Sequence, residues 1–596
     1  MAKPIDLRKT RKTLFSLLKP EAGFFWVAIA YGVAISLMTL AVPIAVQTLI
    51  NSIANIGSTR AVIILAVILF LTLFLRSVDL ILLNNKSNEF SKSILPPTSK
   101  KNRVDIYDRN NVLLATNVKS ASIYANPKEI LNKTEVSKKL SRVLGDQEYS
   151  ELKKKLTSNS SFVWIKRQVS PKEHFEVNKL GIPGINFQEE IRRVFPQGSL
   201  LSHVIGSVGV DNEGLSGIEK KLNNQITSSE RPLKISIDSS VQHALKRELS
   251  LAMEKFKAIG SAGVIMNVNN GEIISLISLP DFNPNIKGKP SDDAAFSRVT
   301  LGNYEMGSTF KPFTVAAALQ HNIINLKDGY DATKPLKVSR FIIRDDHPKS
   351  RWLSVPEIFK YSSNIGMAQM ARDLGVEKQK KFLEKLGILD SSKIEISEVG
   401  KPIIPKIWRE INSMTISYGH GIAVNLLQVA NAYAILVNGG KKISPTLLLE
   451  KNQIPPNNIK VEKVISEDTS RKIRGLLRLT VMSGTAKKAD IPGYEVGGKT
   501  GTAEKPSGGG YNKDSIITSF VGVFPMDKPQ YVVAIMLDEP KGIKETHFYR
   551  SAGWTAAPTV GNVISRIGPL LRVLPAKEKK YWKNFEATYI SVKANE

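Results

Sequence analysis

The sequence predicts an α+β multidomain chain with apolar N-terminal segments, a mixed α/β pedestal, and a C-terminal unit in which helices flank an antiparallel sheet. Three observations predict this. At 596 residues the chain exceeds what a single hydrophobic core holds, about 250–300 residues. No charged side chain occurs from Ala22 to Thr59, a membrane-type pattern. From residue 233 onward, strand patterns stand at both ends with helical spacing between them. That arrangement indicates one unit whose terminal parts share a sheet.

The first 21 residues form a basic tail (Lys3, Arg8, Lys9, Arg11, Lys12, Lys19). Residues 22–59 are an extra apolar segment, within which Phe24 to Val46 reaches roughly 35 Å as a helix against a bilayer core of about 30 Å. Residues 60–83 contain a second apolar run, Ala61 to Leu75, bracketed by Arg60 and Arg76. It covers only about 22 Å, so it must snorkel its arginines or borrow uncharged residues before Arg60. The positive-inside rule keeps the basic tail in the cytoplasm. One span then places everything after residue 85 outside, whereas two spans return it.

Residues 84–232 comprise a polar Pro-Pro stalk and a Lys-rich, non-catalytic pedestal. Val104 to Tyr107 alternates as a strand does, and amphipathic helices are expected near 128–157 and 214–226. The unit at 233–568 opens with a strand pattern, Leu233 to Asp238. A helix follows over 239–257, behind a serine cap signal. Next comes a hairpin turning at Asn270-Gly271, then a helix-rich middle from 308 to 436. Three strands are expected after residue 492, and residues 569–596 are a tail.

Composition excludes several chemistries. The chain is 42% hydrophobic and 23% charged, with a net charge of +29. Its Lys and Arg are dispersed among acids rather than gathered in arms or stripes, which argues against nucleic acid and suits an anionic polymer or membrane surface. There is no cysteine, so disulfides, thiolate catalysis and Cys-based zinc sites are excluded. Seven scattered histidines without a His-Glu-x-x-His give no expected metal or other cofactor.

Ser308-Thr309-Phe310-Lys311 follows Gly307 and precedes Pro312 at an expected helix start. Residues i and i+3 share a helical face, which lets the serine hydroxyl and the lysine amine meet. A lysine accepts a serine proton only if its pKa falls from about 10.4 to near 7 or 8; burial and a second cation both push it there. Alone the pattern is weak, since Ser16-Leu17-Leu18-Lys19 matches it in the basic tail. Ser362-Ser363-Asn364 and Gly498-Lys499-Thr500-Gly501-Thr502-Ala503 follow in order, completing the Ser-x-x-Lys, Ser-x-Asn, Lys-Thr-Gly triple of penicillin-binding proteins and serine β-lactamases. His347 and His420 are structural or substrate-rim residues. Ser507-Gly508-Gly509-Gly510 lacks a phosphate-loop ending and reads as a flexible loop beside the strand.

Residues from about 60 to 568 resemble a class B penicillin-binding protein, closest to the septal transpeptidases of cell division. The resemblance rests on the triple, on Asn102 to Asn110 with Leu114-Ala115, and on VFPQGSLLSHVIGSVG, GLSGIEK, SLPDFNPN, RWLSVPEIFKYSSNIG and SYGHGIAVNLLQVANAYAILVNGG. Met306 stands where the family commonly has proline, and Asn110-Asn111 replaces Asn-Gly. Ala61 to Leu83 resembles the family's single membrane anchor, while residues 13–57 resemble the first transmembrane helix of an ABC exporter, as in a fusion. No nucleotide-binding domain follows, which sets transport aside.

The resemblance implies a transpeptidase that cross-links peptidoglycan stem peptides ending in D-Ala-D-Ala. Ser308 is the implied nucleophile and Lys311 the base, with Ser362 and Asn364 relaying the proton and holding the substrate amide. Lys499 binds the substrate carboxylate and lowers the pKa of Lys311. Thr500, Gly501 and Thr502 line the substrate strand, and the backbone N–H groups of Ser308 and Thr502 form the oxyanion hole. Implied partners are β-lactams as inhibitors, the membrane, a polytopic glycosyltransferase and other division proteins. The implied location is the bacterial inner membrane with the catalytic unit in the periplasm. The alternatives are a carboxypeptidase or β-lactamase-like hydrolase, and a non-catalytic scaffold of the division complex.

Overall fold

The structure, a computed structural model, describes residues 102–449, 462–507, 510–575 and 580–590, with isolated positions at 47, 67, 70 and 71. The chain divides into two compact units, Met1–Lys100 and Lys101–Glu596, and the elements below belong to the second. The two expected membrane segments lie outside the described residues apart from those isolated positions. Among the described residues no helix is long and apolar enough to cross a membrane.

The N-terminal part holds β1 (Ile106–Tyr107), β2 (Leu113–Ala125), α1 (Lys133–Leu144), α2 (Tyr149–Thr157), β3 (Val163–Val169), α3 (Pro171–Lys179) and β4 (Ile185–Val194). It continues with α4 (Gly217–Lys221), α5 (Asn223–Ser228) and β5 (Leu233–Lys234). The strands run in the order β3-β2-β1-β5, with β4 also pairing β2. Asn132 caps α1 by accepting from Glu135 N–H, and Val136, Leu140 and Leu144 are its buried stripe. These side chains join Ile123, Leu152, Ile165 and Val177 in a core of their own. The Leu233 strand is placed differently from expectation. Only Leu233 and Lys234 form a ladder, parallel to β1, while Ile235 bridges Leu448 and Asp238 N–H donates to the Ile274 carbonyl, so the segment joins the N-terminal sheet and only touches the C-terminal one.

Two motif stretches far apart in sequence meet here. Arg103 Nε donates to Glu219 Oε2 at 2.6 Å and Arg193 Nε to Glu219 Oε1 at 2.8 Å. All three residues are buried. Buried charges persist when paired and fully hydrogen-bonded, and Arg103 also reaches Asn223 Oδ1 and the Asn212 and Glu219 carbonyls. Asp108 accepts from Ser239 N–H at 3.0 Å, tying the same opening motif to the next helix.

That helix, α6 (Ser239–Lys255), starts at Asp238, whose carboxylate accepts from Ser240 and Val241 N–H. The hairpin β6 (Gly260–Asn267) and β7 (Ile273–Leu279) follows. Gly271 at φ +81 carries its turn, where a Cβ would collide with the Ser444 carbonyl. The middle comprises α7 (Asp292–Ala295), α8 (Lys311–Gln320), β8 (Gly329–Asp331), β9 (Leu336–Val338), β10 (Phe341–Ile343), β11 (Trp352–Ser354), α9 (Val355–Tyr361), α10 (Asn364–Leu374), α11 (Val376–Lys385), α12 (Glu410–Ile416), α13 (Leu426–Val437) and α14 (Glu467–Ser483). The chain ends with β12 (Gly497–Ser507), β13 (Gly510–Phe524), β14 (Tyr531–Asp538), α15 (Ala556–Leu570) and α16 (Lys580–Ile590).

The C-terminal sheet runs β12-β13-β14-β6-β7, antiparallel throughout, so strands from both ends of the unit share it. Side chains alternate between faces. A Cβ on Gly522 would meet Val560 of α15, whereas one on Gly497, paired with Val523, would meet the α14 backbone. Helices therefore cover both faces, and β13 is buried from Ile517 to Phe524, as a doubly covered strand must be. β12 is an edge, and its free side borders the site. Within the expected tail, Lys580–Ile590 form a helix. Trp582, Phe585 and Tyr589 follow the i, i+3, i+7 pattern and turn α16 into the main core.

Candidate active site

Ser308 lies in a 3-10 turn (Gly307–Phe310) that runs directly into α8 at Lys311. Gly307 has φ +53 and lies against Thr502 O, leaving 2.7 Å for a Cβ. Glycine is what lets the Ser308 turn approach the edge strand so closely. Met306, at the position where the resemblance expects proline, is buried, and its carbonyl accepts from Thr309 Oγ1 at 2.9 Å.

Lys311 is fully buried. Its Nζ donates to Ser362 Oγ at 2.9 Å, to Asn364 Oδ1 at 2.8 Å and to the Ser362 carbonyl. Ser362 Oγ in turn donates to Ser308 Oγ at 3.1 Å. The hydrogen-bonded path from Lys311 to Ser308 thus runs through the Ser362 hydroxyl, a detail that i, i+3 spacing does not convey. Ser362 reaches this junction because it closes α9 in the left-handed conformation, φ 61 and ψ 42. A non-glycine residue held there is the kind of outlier that concentrates at functional sites. Ser363 caps α10 by accepting from Gly366 N–H, which leaves Asn364 on the first turn of α10.

Lys499 enters from β12, also fully buried, and its Nζ donates to the same Ser362 Oγ at 2.9 Å. Burial pulls Lys311 down to about 7, against the opposing pull of Asp345 and Asp346. Burial, followed by the nearby Lys311 charge, holds Lys499 well below the usual lysine range. The expectation that Lys499 lowers Lys311 is therefore recast. Desolvation acts first on Lys311, and the repulsion between the two amines is visible on Lys499.

On β12, Thr500 Oγ1 shares a hydrogen bond with Thr485 Oγ1 at 2.8 Å. Thr502 Oγ1 accepts from Ala552 N–H at 3.1 Å. A Cβ on Gly501 would strike the Met306 carbonyl. Asn364 also has partners at both ends of its amide, since Nδ2 donates to the Arg344 carbonyl at 3.0 Å. The structure thus gathers Ser308, Lys311, Ser362, Asn364 and Lys499 in one hydrogen-bonded cluster, with Thr500, Gly501 and Thr502 on the bordering edge. The glycine stretch after Pro506 falls at the turn between β12 and β13, where Ser507 pairs with Gly510; residues 508 and 509 lie outside the described residues.

Two further groups carry no sequence motif. Asp345 accepts from Asn364 N–H at 2.6 Å, Ile365 N–H at 2.9 Å and Ser363 Oγ at 2.8 Å, fixing the α10 start, where a carboxylate also complements the helix dipole. Glu305 accepts from Gly421 N–H at 2.9 Å and Tyr511 O–H at 3.2 Å. The His420 ring lies beside Tyr418 and Tyr511, and burial lowers its pKa. His347 is exposed. A cavity of about 770 Å³ lined by His203, Phe282 and Ile286 lies elsewhere, and none of the clustered residues lines it.

Residues 261–565 match the penicillin binding protein transpeptidase domain, and residues 98–242 match the penicillin-binding protein dimerisation domain. The chain belongs to the penicillin-binding transpeptidase family. Its similarity to a probable peptidoglycan D,D-transpeptidase FtsI of Caulobacter vibrioides is 36% identity over 486 residues, 79% of this chain and 82% of that protein. Stage V sporulation protein D of Bacillus subtilis is 33% identical over 535 residues, covering 81% of each. Peptidoglycan D,D-transpeptidase FtsI of Escherichia coli is 27% identical over 506 residues, 79% and 84%. The fold matches a peptidoglycan synthetase from Bifidobacterium adolescentis with a TM-score of 0.62 at 22% identity, covering 80% of this chain and 97% of that one. It matches penicillin binding protein 3 of Mycobacterium tuberculosis complexed with aztreonam equally well, with a TM-score of 0.62 at 20% identity, 80% and 98%.

Proposed function

We propose that this chain is a serine-type D,D-transpeptidase that cross-links peptidoglycan stem peptides during septal wall synthesis. The observation that carries the reading is the convergence of Lys311, Lys499 and Ser308 on the single hydroxyl of Ser362. A lysine near 7 exists in both forms at neutral pH, as an acid–base catalyst requires. Ser308 Oγ attacks the carbonyl of the penultimate D-Ala, and its proton passes through Ser362 to neutral Lys311. The tetrahedral oxyanion is met by the backbone N–H groups of Ser308 and Thr502, each such donor being worth about 3 kcal/mol. Collapse breaks the C–N bond, the stored proton goes to the departing D-Ala amine, and an acyl-enzyme remains. An amine from a neighbouring stem peptide then attacks the acyl-enzyme carbonyl, the new C–N bond forms as the ester bond to Ser308 Oγ breaks, and the proton the amine gives up returns to Ser308 Oγ.

The substrate carboxylate binds at Lys499. Its negative charge favours the ammonium form there and so favours neutral Lys311, which divides the roles of two otherwise similar lysines. The free edge of β12 receives the donor peptide as an added strand. Asn364 orients Lys311 and reaches a substrate amide by exchanging the Arg344 carbonyl. The same serine is the β-lactam target. Residues 84–232 act as stalk and pedestal and 233–568 as the catalytic unit, placed outside the inner membrane beside a polytopic glycosyltransferase and other division proteins.

Covalent labelling by a fluorescent penicillin tests the reading. The parent chain is expected to label and Ser308→Ala is not. Folded parent protein that fails to label would sink the proposal. Partition of the acyl-enzyme between an added amine and water separates a transferase from a hydrolase.

A further inference from the structure

The C-terminal helix α16 lies beyond the matched transpeptidase region, which ends at residue 565, and it contacts both α9, which leads to Ser362, and α14, which packs on the edge strand β12. On one side, Trp582 and Phe585 are buried. The Phe585 ring occupies the space a Cβ on Gly475 would need, 2.5 Å away. Gly475 sits in α14, which holds the edge strand: Arg478 Nη1 donates to the Val496 carbonyl at 2.8 Å, and Thr485 just past α14 shares its hydroxyl bond with Thr500. On the other side, Glu586 Oε1 lies 3.6 Å from Lys360 Nζ, both side chains being largely shielded. Lys360 is on the last turn of α9, two residues before Ser362.

We infer that α16 is a brace that clamps α9 to α14 and so fixes Ser362 of one wall against Lys499 of the other, with Phe585 and Glu586 as positioning residues. The inference rests on the reading of Ser308 as the penicillin-reactive nucleophile. The logic is geometric. Ser362 Oγ must stay within hydrogen-bond reach of Lys311, Lys499 and Ser308 together, and those groups arrive on separate elements. Burial keeps Lys311 near neutrality, so any parting of the walls admits water to the lysine as well as lengthening the relay. A merely structural helix would change stability and leave the relay untouched.

The test measures the second-order rate of Ser308 acylation by benzylpenicillin across pH, on full-length detergent-solubilised protein, for Phe585→Ala, Gly475→Val, Glu586→Gln and Glu586→Asp. Phe585→Ala and Gly475→Val are expected to slow acylation at pH 7 by at least about fivefold, inside the hundredfold that an ångström of misplacement costs. The acid limb of the profile should move to higher pH as the lysine rehydrates. Glu586→Gln should show the same limb shift with a melting temperature within about 2 °C of the parent, and Glu586→Asp should restore the limb. If Phe585→Ala and Gly475→Val do not fold, Glu586→Gln carries the test alone. Folded variants that keep the parental rate and limb, whether or not they lose stability, would overturn the brace. A parent chain that benzylpenicillin does not acylate would overturn the underlying reading, and the brace with it.

Discussion

Ser362 is the residue on which the proposed chemistry turns, because its hydroxyl receives two amines and reaches Ser308. Ser362→Ala is expected to leave Ser308 in place and lower the acylation rate by about 10²-fold or more, the usual worth of a positioned proton carrier, read by stopped-flow penicillin binding. In the same proposed mechanism Lys311 sets the pH dependence. As a base it must be neutral, so acylation should fall about tenfold per pH unit below its value near 7 and level off above it. The same lysine burdens the fold. Its folded pKa lies below its unfolded one, so the unfolded chain binds more protons between about 7 and 10.5 and stability rises with pH there. Lys311→Met should therefore abolish acylation yet raise the melting temperature, with the gain full below pH 7 and fading towards pH 10. Equal or lower stability at pH 6 would contradict this. The chemical residues are legible in sequence because the three motifs keep side-chain type and order. Asp345 and Glu305 are not, since a lone carboxylate acquires meaning only from the N–H groups that folding brings to it.

Helices and strands of the catalytic unit are legible where periodicity and punctuation agree. The β6–β7 hairpin turns at Gly271, and α6 runs where its apolar spacing puts it, although its cap is Asp238 and not the expected serine. Legibility fails where partners are distant. Leu233-Lys234 has strand character, yet nothing local says that its neighbour is β1 rather than β6. α16 is inconspicuous because three aromatics spread over eight residues look like a tail until a glycine on α14 makes room for one of them. The Arg103–Glu219–Arg193 cluster belongs to this scale, since it joins β4 and α4 to the opening motif. Glu219→Gln leaves two buried guanidinium groups without a counter-charge and should destabilise the folded chain by about 3–5 kcal/mol, measured by chemical denaturation. Acylation of the remaining folded fraction should be unchanged, because none of the three touches the Ser308 cluster.

At the scale of the whole molecule, the chemistry constrains where the chain must lie. The proposed substrate is outside the membrane, while the basic tail favours a cytoplasmic N-terminus. Those two requirements agree only if an odd number of segments cross before residue 101. Phe24 to Val46 is long enough to span, whereas Ala61 to Leu75 is short and flanked by Arg60 and Arg76. The segment that most resembles the family's anchor is thus the one less suited to crossing by length. The dispersed positive charge fits either side, since wall polymers and inner-leaflet lipids are both anionic. A reporter that is active only when exported, fused after residue 100, should give a signal. A second reporter placed between the two apolar segments, after residue 58, should show which one crosses. With the first segment spanning and the second lying in the interface, both reporters are exported. With the second spanning alone, only the later one is. A cytoplasmic signal after residue 100 would place Ser308 away from its substrate and contradict the septal role, however well the cluster around Ser362 is built.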